Sequence, residues 1–371
     1  MKDIAPKSHK PALTLHLGLL LFGCAHADEA SSNRCVAPTL TELAVLAPGV
    51  KLEQPFRIHG KGFAWDHEVR VALPASYGTG ESAYPVLWVT DGIINFELAV
   101  EAVNGPWSKY LPEMIVVGVG GPPEASAEFQ ARRTYEFTLT ERLMADGPRD
   151  RVADLAYKNA QQLAIEAAKD AGKSPPKTGG APEFLRFLVD ELRPMMRKKY
   201  RMSGTHALFG HSGGGFFCAY AFLARPRSFK QYICLSPNLS GSDYELFRLE
   251  EKLAADQKDL AATVYLAAGE GEILQGGYIS EIGIVSSMSR MAETLRSRSY
   301  PSLKLYVHIF ANEEHGTYKP SGLAHGLQSI WGKPITPRQS ATQHSLPQDS
   351  GIPARHGSFR FQTDRRSICS D

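Results

Sequence analysis

Two hydrophobic periods alternate along this chain. Short, mostly apolar runs with no polar face read as buried strands; longer stretches with apolar residues three and four apart read as helices with one face turned inward. Eight strand-like stretches can be marked: FRIHGKGF from Phe56, EVRVALPASY from Glu68, YPVLWVTDG from Tyr84, EMIVVGVGG from Glu113, THALFG from Thr205, KQYICLSP from Lys230, ATVYLAAGE from Ala262 and LKLYVHIF from Leu303. The first two suit an antiparallel start. YPVLWV and EMIVVGV are continuous apolar runs, as parallel strands covered on both faces require. Between the strands, the stretch from Ala181 to Tyr200 carries Phe184, Leu185, Leu188, Leu192 and Met195 near helical spacing. Glu183 stands near its start and Lys198 and Lys199 near its end, the order the helix dipole favours, and Pro194 is expected to kink it. Further helices are expected at SSMSRMAETLRSRSY (from Ser286) and SGLAHGLQSIW (from Ser321). Strands alternating with helices predict an α/β fold: a mostly parallel eight-stranded sheet with helices on both faces.

Three segments stand outside this alternation. Residues 1–27 combine a basic start (Lys2, Lys7, Lys10), the apolar run ALTLHLGLLLFG and the small residues Ala25 and Ala27. That is the form of an export signal cleaved after Ala27, so a periplasmic or secreted protein is expected. LFGC at Cys24 is an imperfect lipidation motif; membrane attachment is expected only if that cysteine is lipidated. Residues from about 141 to 180 are polar and alanine-rich and end in KSPPKTGG. They read as a partly helical insertion over one sheet edge, placed as a lid. Residues 337–371 lack periodicity and are rich in Ser, Gln, Pro and Arg, a composition expected to be disordered. A single folded domain, 28–336, is therefore expected.

Composition narrows the class. Apolar residues at 43% and charged residues at 22% are ordinary for a globular chain, and a net charge of +2 without a Lys/Arg block gives no reason to expect a nucleic-acid partner. After cleavage four cysteines remain, Cys35, Cys218, Cys234 and Cys369, which an oxidising compartment could pair in three ways. Without a CxxC pair or a Cys/His cluster, no metal site is expected. Cys218 and Cys234 read as small buried hydrophobes.

The chemistry centres on LFGHSGGGFF. Gly210-His211-Ser212-Gly213-Gly214 fits G-x-S-x-G, with an apolar strand before it and an apolar helix after it. A serine on a strand-to-helix turn needs neighbours without side chains so that the turn can close. Its hydroxyl is then presented at the strand end, and the Gly213 amide points at a developing oxyanion. A base must follow. Of the five histidines downstream, His308 falls in a strand, His325 in a helix, and His344 and His356 in the tail; His315, in ANEEHGTY after the last strand, can fold back over the turn. The acid is expected at the end of VYLAAGEGEIL, at Glu272 rather than Glu270, with Asp243 a weaker candidate. Gly92 and Ile93 in VTDGIINF can present backbone amides as the second oxyanion donor.

Taken together, YPVLWVTDG, RRTYEFT, the Gly179–Tyr200 segment, LFGHSGGG, LSPNL, AAGEGE and NEEHGTY resemble, in order and spacing, the esterase family that includes ferric enterobactin and bacillibactin trilactone esterases and is related to S-formylglutathione hydrolases. The resemblance runs from Phe56 to Trp331. It implies an α/β-hydrolase fold and an ester hydrolase acting through Ser212, Glu272 and His315, with no cofactor and no metal. It also implies a small-molecule ester substrate, with a ferric siderophore as one candidate. It draws attention to Arg133, with Arg132 beside it, as substrate-facing groups: a guanidinium suits an anionic catecholate or carboxylate. Relatives carry tryptophans where this chain reads SPNLSGSDYELF, a departure that bears on substrate rather than on fold. An acyltransferase or a peptidase could use the same residues. A binding protein could keep the fold alone, but it would not need serine, acid and histidine together.

Overall fold

The computed structural model of the chain describes residues 49–139, 169, 177–274, 276 and 278–332. All eight expected strands form: β2 (Phe56–His59), β3 (Asp66–Leu73), β4 (Tyr84–Val89), β5 (Ile115–Gly120), β6 (Met202–His211), β7 (Lys230–Leu235), β8 (Thr263–Gly269) and β9 (Lys304–Phe310). A ninth, β1 (Lys51–Leu52), corrects the expected count of eight. It is a two-residue pairing with Leu73 and Ala72 at the sheet's edge, too short to leave a pattern in the sequence. The strand order is β1-β3-β5-β4-β6-β7-β8-β9, with β2 paired to β3. The first three strands are antiparallel to their neighbours, and every pairing from β5 to β9 is parallel.

This order positions the site. After β4 the chain pairs β5 on one side and then crosses to place β6 on the other, so the connections leaving β4 and β6 diverge at their carboxyl ends. In an open α/β sheet such a switch point leaves a crevice where ligands bind. Val89 is in register with Phe209 there, and the turns after both strands begin side by side.

Alternate residues of the central strands feed two apolar layers, as strand geometry dictates. Leu87 and Val89 pack with Phe96, Ala99 and Val100 of α1 (Gly92–Asn104) and with Leu323 and Leu327 of α9 (Lys319–Trp331). Val86 and Trp88 belong to the opposite layer, which holds the aromatic cluster of Phe184, Phe187 and Phe217 and the methionines Met288 and Met291 of α8 (Ile284–Ser297). α2 (Phe129–Glu136) precedes this layer's main helix, α3, which runs through the segments Ala181–Arg186, Phe187–Leu192 and Arg193–Lys199. The disturbance expected at Pro194 takes the form of a π-helical turn over Phe187–Leu192, which ends two residues before the proline. Widening the turn accommodates a residue that lacks an N–H and crowds the carbonyl four residues back.

α4 (Gly213–Ala224) is buried along ten consecutive residues, Gly214 to Leu223, which is why it is apolar all round. α5 (Gly241–Asp256), α6 (Gly271–Leu274) and α7 (Tyr278–Glu281) complete the helices used below. Cys218 on α4 and Cys234 on β7 are buried as expected, but they form a disulfide with Cα atoms 5.5 Å apart. One of the pairings open to the four cysteines is thus formed: helix and strand pack so that these two residues, sixteen apart in sequence, face each other. The leader, most of the insertion, the tail, and Cys24, Cys35 and Cys369 lie outside the described residues. Among the described residues no helix is long and apolar enough to cross a membrane.

Candidate active site

Ser212 sits between β6 and α4 with φ 59° and ψ −120°, backbone angles that a residue with a side chain rarely adopts. The strain is imposed by what surrounds the turn. A Cβ on Gly210 would come within 2.0 Å of the Gly214 carbonyl oxygen, and one on Gly215 within 2.2 Å of the Leu235 carbonyl oxygen. The chain therefore reverses against itself and against β7, and only glycine fits at both positions. The Ser212 amide donates to Leu235 O at 2.9 Å, which fixes the turn to β7.

His315 is brought to this turn by the loop after β9. Because β8 and β9 end in register at Gly269 and Phe310, the loop doubles back across the end of β8, and the Gly271 amide donates to Glu313 O at 2.8 Å. The half-buried His211, next to Ser212, donates from Nε2 to the His315 carbonyl at 2.7 Å, and the two imidazoles lie 4.7 Å apart. Burial first, and then the charge at His315 and Lys319, hold His211 well below the usual histidine range. His315 itself is about a quarter exposed, and its Nδ1 lies 2.9 Å from Glu272 Oε1.

Glu272, in the first turn of α6, is buried. Its Oε1 also accepts from Ser236 Oγ at 2.6 Å, while Oε2 has no hydrogen-bond partner among the described residues. The Tyr318 hydroxyl lies 2.6 Å from Ser236 Oγ and donates to Ala267 O at 3.0 Å. Glu272, preferred to Glu270 from the sequence, is the one at the histidine. Glu270 Oε2 accepts from the Asn312 amide at 2.8 Å on the exposed side of the loop. Asp243 lies on α5.

The β4–α1 turn packs against the serine turn: a Cβ on Gly214 would come 2.5 Å from Thr90 Oγ1. Asp91 adopts a left-handed conformation (φ 52°, ψ 48°) as the N-cap of α1. The amides of Gly92 and Ile93 thus open a helix, where N–H groups have no intrahelical acceptor, and Gly213 opens α4 in the same way.

Arg133 reaches this cluster, and Arg132 does not. Arg133 Nε donates to buried Asp91 Oδ1 at 2.7 Å, and its guanidinium lies over the rings of Phe129 and Phe137. Arg133 Nη2 comes within 3.3 Å of where a Cβ on Gly213 would stand. Burial pushes the Asp91 carboxyl up, and the Arg133 charge opposes the shift. The expectation that Arg132 also faces substrate is corrected. Its Nη1 donates to Asp66 O at 2.8 Å and its guanidinium covers Trp65, so it braces α2 to the antiparallel edge, on the other side of the helix. The rest of RTYEFT is equally structural: Glu136 Oε1 accepts from Trp65 Nε1 and pairs with His67 Nε2, each at 2.9 Å, and Thr138 Oγ1 accepts from the Gly179 amide.

Sequence reasoning missed Asp91, Asn95, Ser236, Tyr318 and Lys319. Tyr318 and Lys319 stand just past the HG pair and Asp91 inside the TDG turn, but only packing gives them partners. Among the described residues no group of three or more His, Cys, Asp or Glu could hold a metal ion.

Residues 60–355 match the sequence profile of a protein family described as "Putative esterase". The chain belongs to this esterase family. A protein named siderophore enterobactin esterase, from Emericella nidulans, is 30% identical over 185 residues, covering 47% of this chain and 54% of that protein. The ferri-bacillibactin esterase BesA of Bacillus subtilis is 27% identical over 198 residues, covering 52% of this chain and 61% of that protein. The esterase-family chain thus spans little more than half the length of these curated relatives. Among solved structures, the BES protein from Bacillus cereus superposes with a TM-score of 0.60 at 25% identity, covering 76% of this chain and 96% of that one. Siderophore hydrolase EstA from Aspergillus nidulans gives 0.61 at 20% identity, covering 81% and 98%. The fold is that of the α/β-hydrolase-like esterases.

Proposed function

We propose that this chain hydrolyses carboxylic esters through an acyl-serine intermediate. The observation that carries the reading is a serine held at φ 59° with a histidine–glutamate pair folded onto the residue beside it. His315 Nε2 takes the proton of Ser212 Oγ as that oxygen bonds to the ester carbonyl carbon. The negative charge formed on the carbonyl oxygen is met by the amides of Gly213, Gly92 and Ile93, each able to contribute about 3 kcal/mol in a water-poor site. His315 then passes its proton to the leaving alkoxide, and the acyl-serine remains. Water gives a proton to the same nitrogen as its oxygen bonds to the acyl carbon; the bond to Ser212 Oγ then breaks, Oγ takes that proton back from His315, and the acid is released. Glu272 accepts from Nδ1, fixes the tautomer and stabilises the imidazolium.

The substrate class we propose is an anionic siderophore lactone. The names of the two curated relatives support it, as does a guanidinium half-buried beside Gly213. Arg133 would receive a catecholate or carboxylate group on a bed of two aromatic rings, a setting that strengthens a cation's pull on an anion by excluding water. Export is proposed on the leader pattern and is supported by the Cys218–Cys234 disulfide, a bond of oxidising compartments.

The test uses the chain from Asp28 with a fluorophosphonate probe, p-nitrophenyl butyrate, and ferric and iron-free enterobactin. Labelling and turnover are expected in the wild type and lost in Ser212→Ala. Turnover of the trilactone is expected to exceed that of the simple ester and to fall in Arg133→Met through a raised KM. Undiminished hydrolysis by Ser212→Ala refutes the mechanism; serine-dependent hydrolysis of the simple ester alone refutes the siderophore assignment.

A further inference from the structure

We infer that Lys319 is a positioning residue for the oxyanion turn, a role that rests on the ester-hydrolase reading above. The first turn of α9 follows His315 by four residues, and two consecutive side chains leave it for opposite halves of the site. Tyr318 goes to the acid side, where its hydroxyl meets Ser236 Oγ, the partner of Glu272. Lys319 goes to the β4–α1 side, where Nζ donates to Asn95 Oδ1 at 3.1 Å. Asn95 is 1% exposed, and its Nδ2 donates to Thr90 O at 3.1 Å.

Thr90 O belongs to the peptide that joins Thr90 to Asp91, the residue in left-handed conformation from which the Gly92 and Ile93 amides follow. That peptide is held from several directions. The Thr90 amide and hydroxyl both donate to Phe209 O, at 3.1 and 3.2 Å, and the Asp91 carboxylate is held by Arg133. The contact through Asn95 is the one that leads to the helix carrying the histidine loop.

Lys319 therefore couples the loop of the base to the turn of the oxyanion donors, so that a shift of one is transmitted to the other. Preorganised donors act only when they already stand where the oxyanion will form. An amide–amide contact between buried side chains could brace the turn without an ammonium. Burial lowers the proton affinity of Lys319 and the Arg133 charge lowers it further, while the Asp91 carboxylate opposes both.

The test compares Lys319→Met, which keeps length but removes the donor, with Lys319→Arg, which restores it, and Asn95→Asp, which keeps the lysine partner but loses the donor to Thr90 O. Each is assayed on neutral p-nitrophenyl butyrate and on anionic mono-p-nitrophenyl succinate, with a trifluoromethyl ketone inhibitor as a probe of oxyanion binding. Lys319→Met and Asn95→Asp are expected to lower kcat roughly tenfold to a hundredfold on both esters, with KM little changed. Ketone affinity should fall by the same factor as kcat/KM, and Lys319→Arg should recover most of the loss.

A rise in KM confined to the anionic ester overturns the inference and makes Lys319 a substrate group. Unchanged kcat with a lowered melting temperature, or loss of the fold in both Lys319→Met and Asn95→Asp, makes it a strut. A wild-type chain that is not labelled at Ser212 and hydrolyses neither ester overturns the ester-hydrolase reading itself.

Discussion

Replacing Glu272 by Gln keeps the shape of the acid and removes its charge. In the structure Oε1 lies 2.9 Å from His315 Nδ1 and accepts from Ser236, and a glutamine oxygen in the same place could accept both bonds. What is lost is attraction to the imidazolium that forms as Ser212 is deprotonated. With charge centres about 4 Å apart and an effective dielectric near 20, that attraction is about 4 kcal/mol. At 1.36 kcal/mol per decade, kcat should fall about a thousandfold, with KM for a small ester little changed. Glu270→Gln is the control: its carboxylate only caps the Asn312 amide on the exposed side of the loop, so about fivefold or less is expected from loosening the loop. The assay is steady-state hydrolysis of p-nitrophenyl butyrate by all three proteins, with folding checked by circular dichroism. A Glu272→Gln enzyme within tenfold of the wild type refutes the electrostatic argument, and a thousandfold loss in Glu270→Gln alone moves the acid to that position.

Three further outcomes follow from the geometry. Ser212→Gly should be about 1 kcal/mol more stable than Ser212→Ala in urea denaturation, because glycine adopts φ 59° without strain; equal stability would mean that the turn stores none. Reducing the Cys218–Cys234 disulfide, which spans sixteen residues, should lower unfolding free energy by about 3 kcal/mol, measured by denaturation with and without reductant; no change would rule out that crosslink as a stabiliser. Burial, aided by Arg193, Arg197 and Lys230, pushes His206 down to about 3, whereas an unfolded histidine takes up its proton near pH 6.5. The folded state is therefore favoured above that pH and loses about 1.4 kcal/mol per unit on acidification toward pH 3; His206→Asn should reduce that slope, and an unchanged slope refutes the assignment.

Much of the architecture was legible because it depends on local composition. Strands buried on both faces have to be apolar throughout, so β4 and β5 appear as unbroken runs, and α4, buried all round, appears as an apolar helix. β1 left no mark, since two residues carry no period. The disulfide left none either, since nothing near Cys218 in the chain says that β7 will bring Cys234 beside it. The serine turn was legible for the opposite reason: a sharp reversal leaves no room for side chains, and that demand is written locally as GHSGGG.

The second-layer contacts around the site were not legible. Arg132 and Arg133 are adjacent and chemically identical, and helix geometry sends them to different neighbours: one to a carbonyl of β3, the other to Asp91 and the serine turn. Glu270 and Glu272 stand two residues apart, and the start of a short helix turns one inward to His315 and leaves the other on the rim. Local sterics and burial, which act through neighbours in the chain, were determined by the sequence alone. The choice between equivalent charged groups, and the links from Ser236 and Tyr318 to the acid and from Lys319 and Asn95 to the oxyanion turn, were decided only by the tertiary structure, because a hydrogen bond or a buried charge depends on distances of a few ångströms between segments that packing alone brings together.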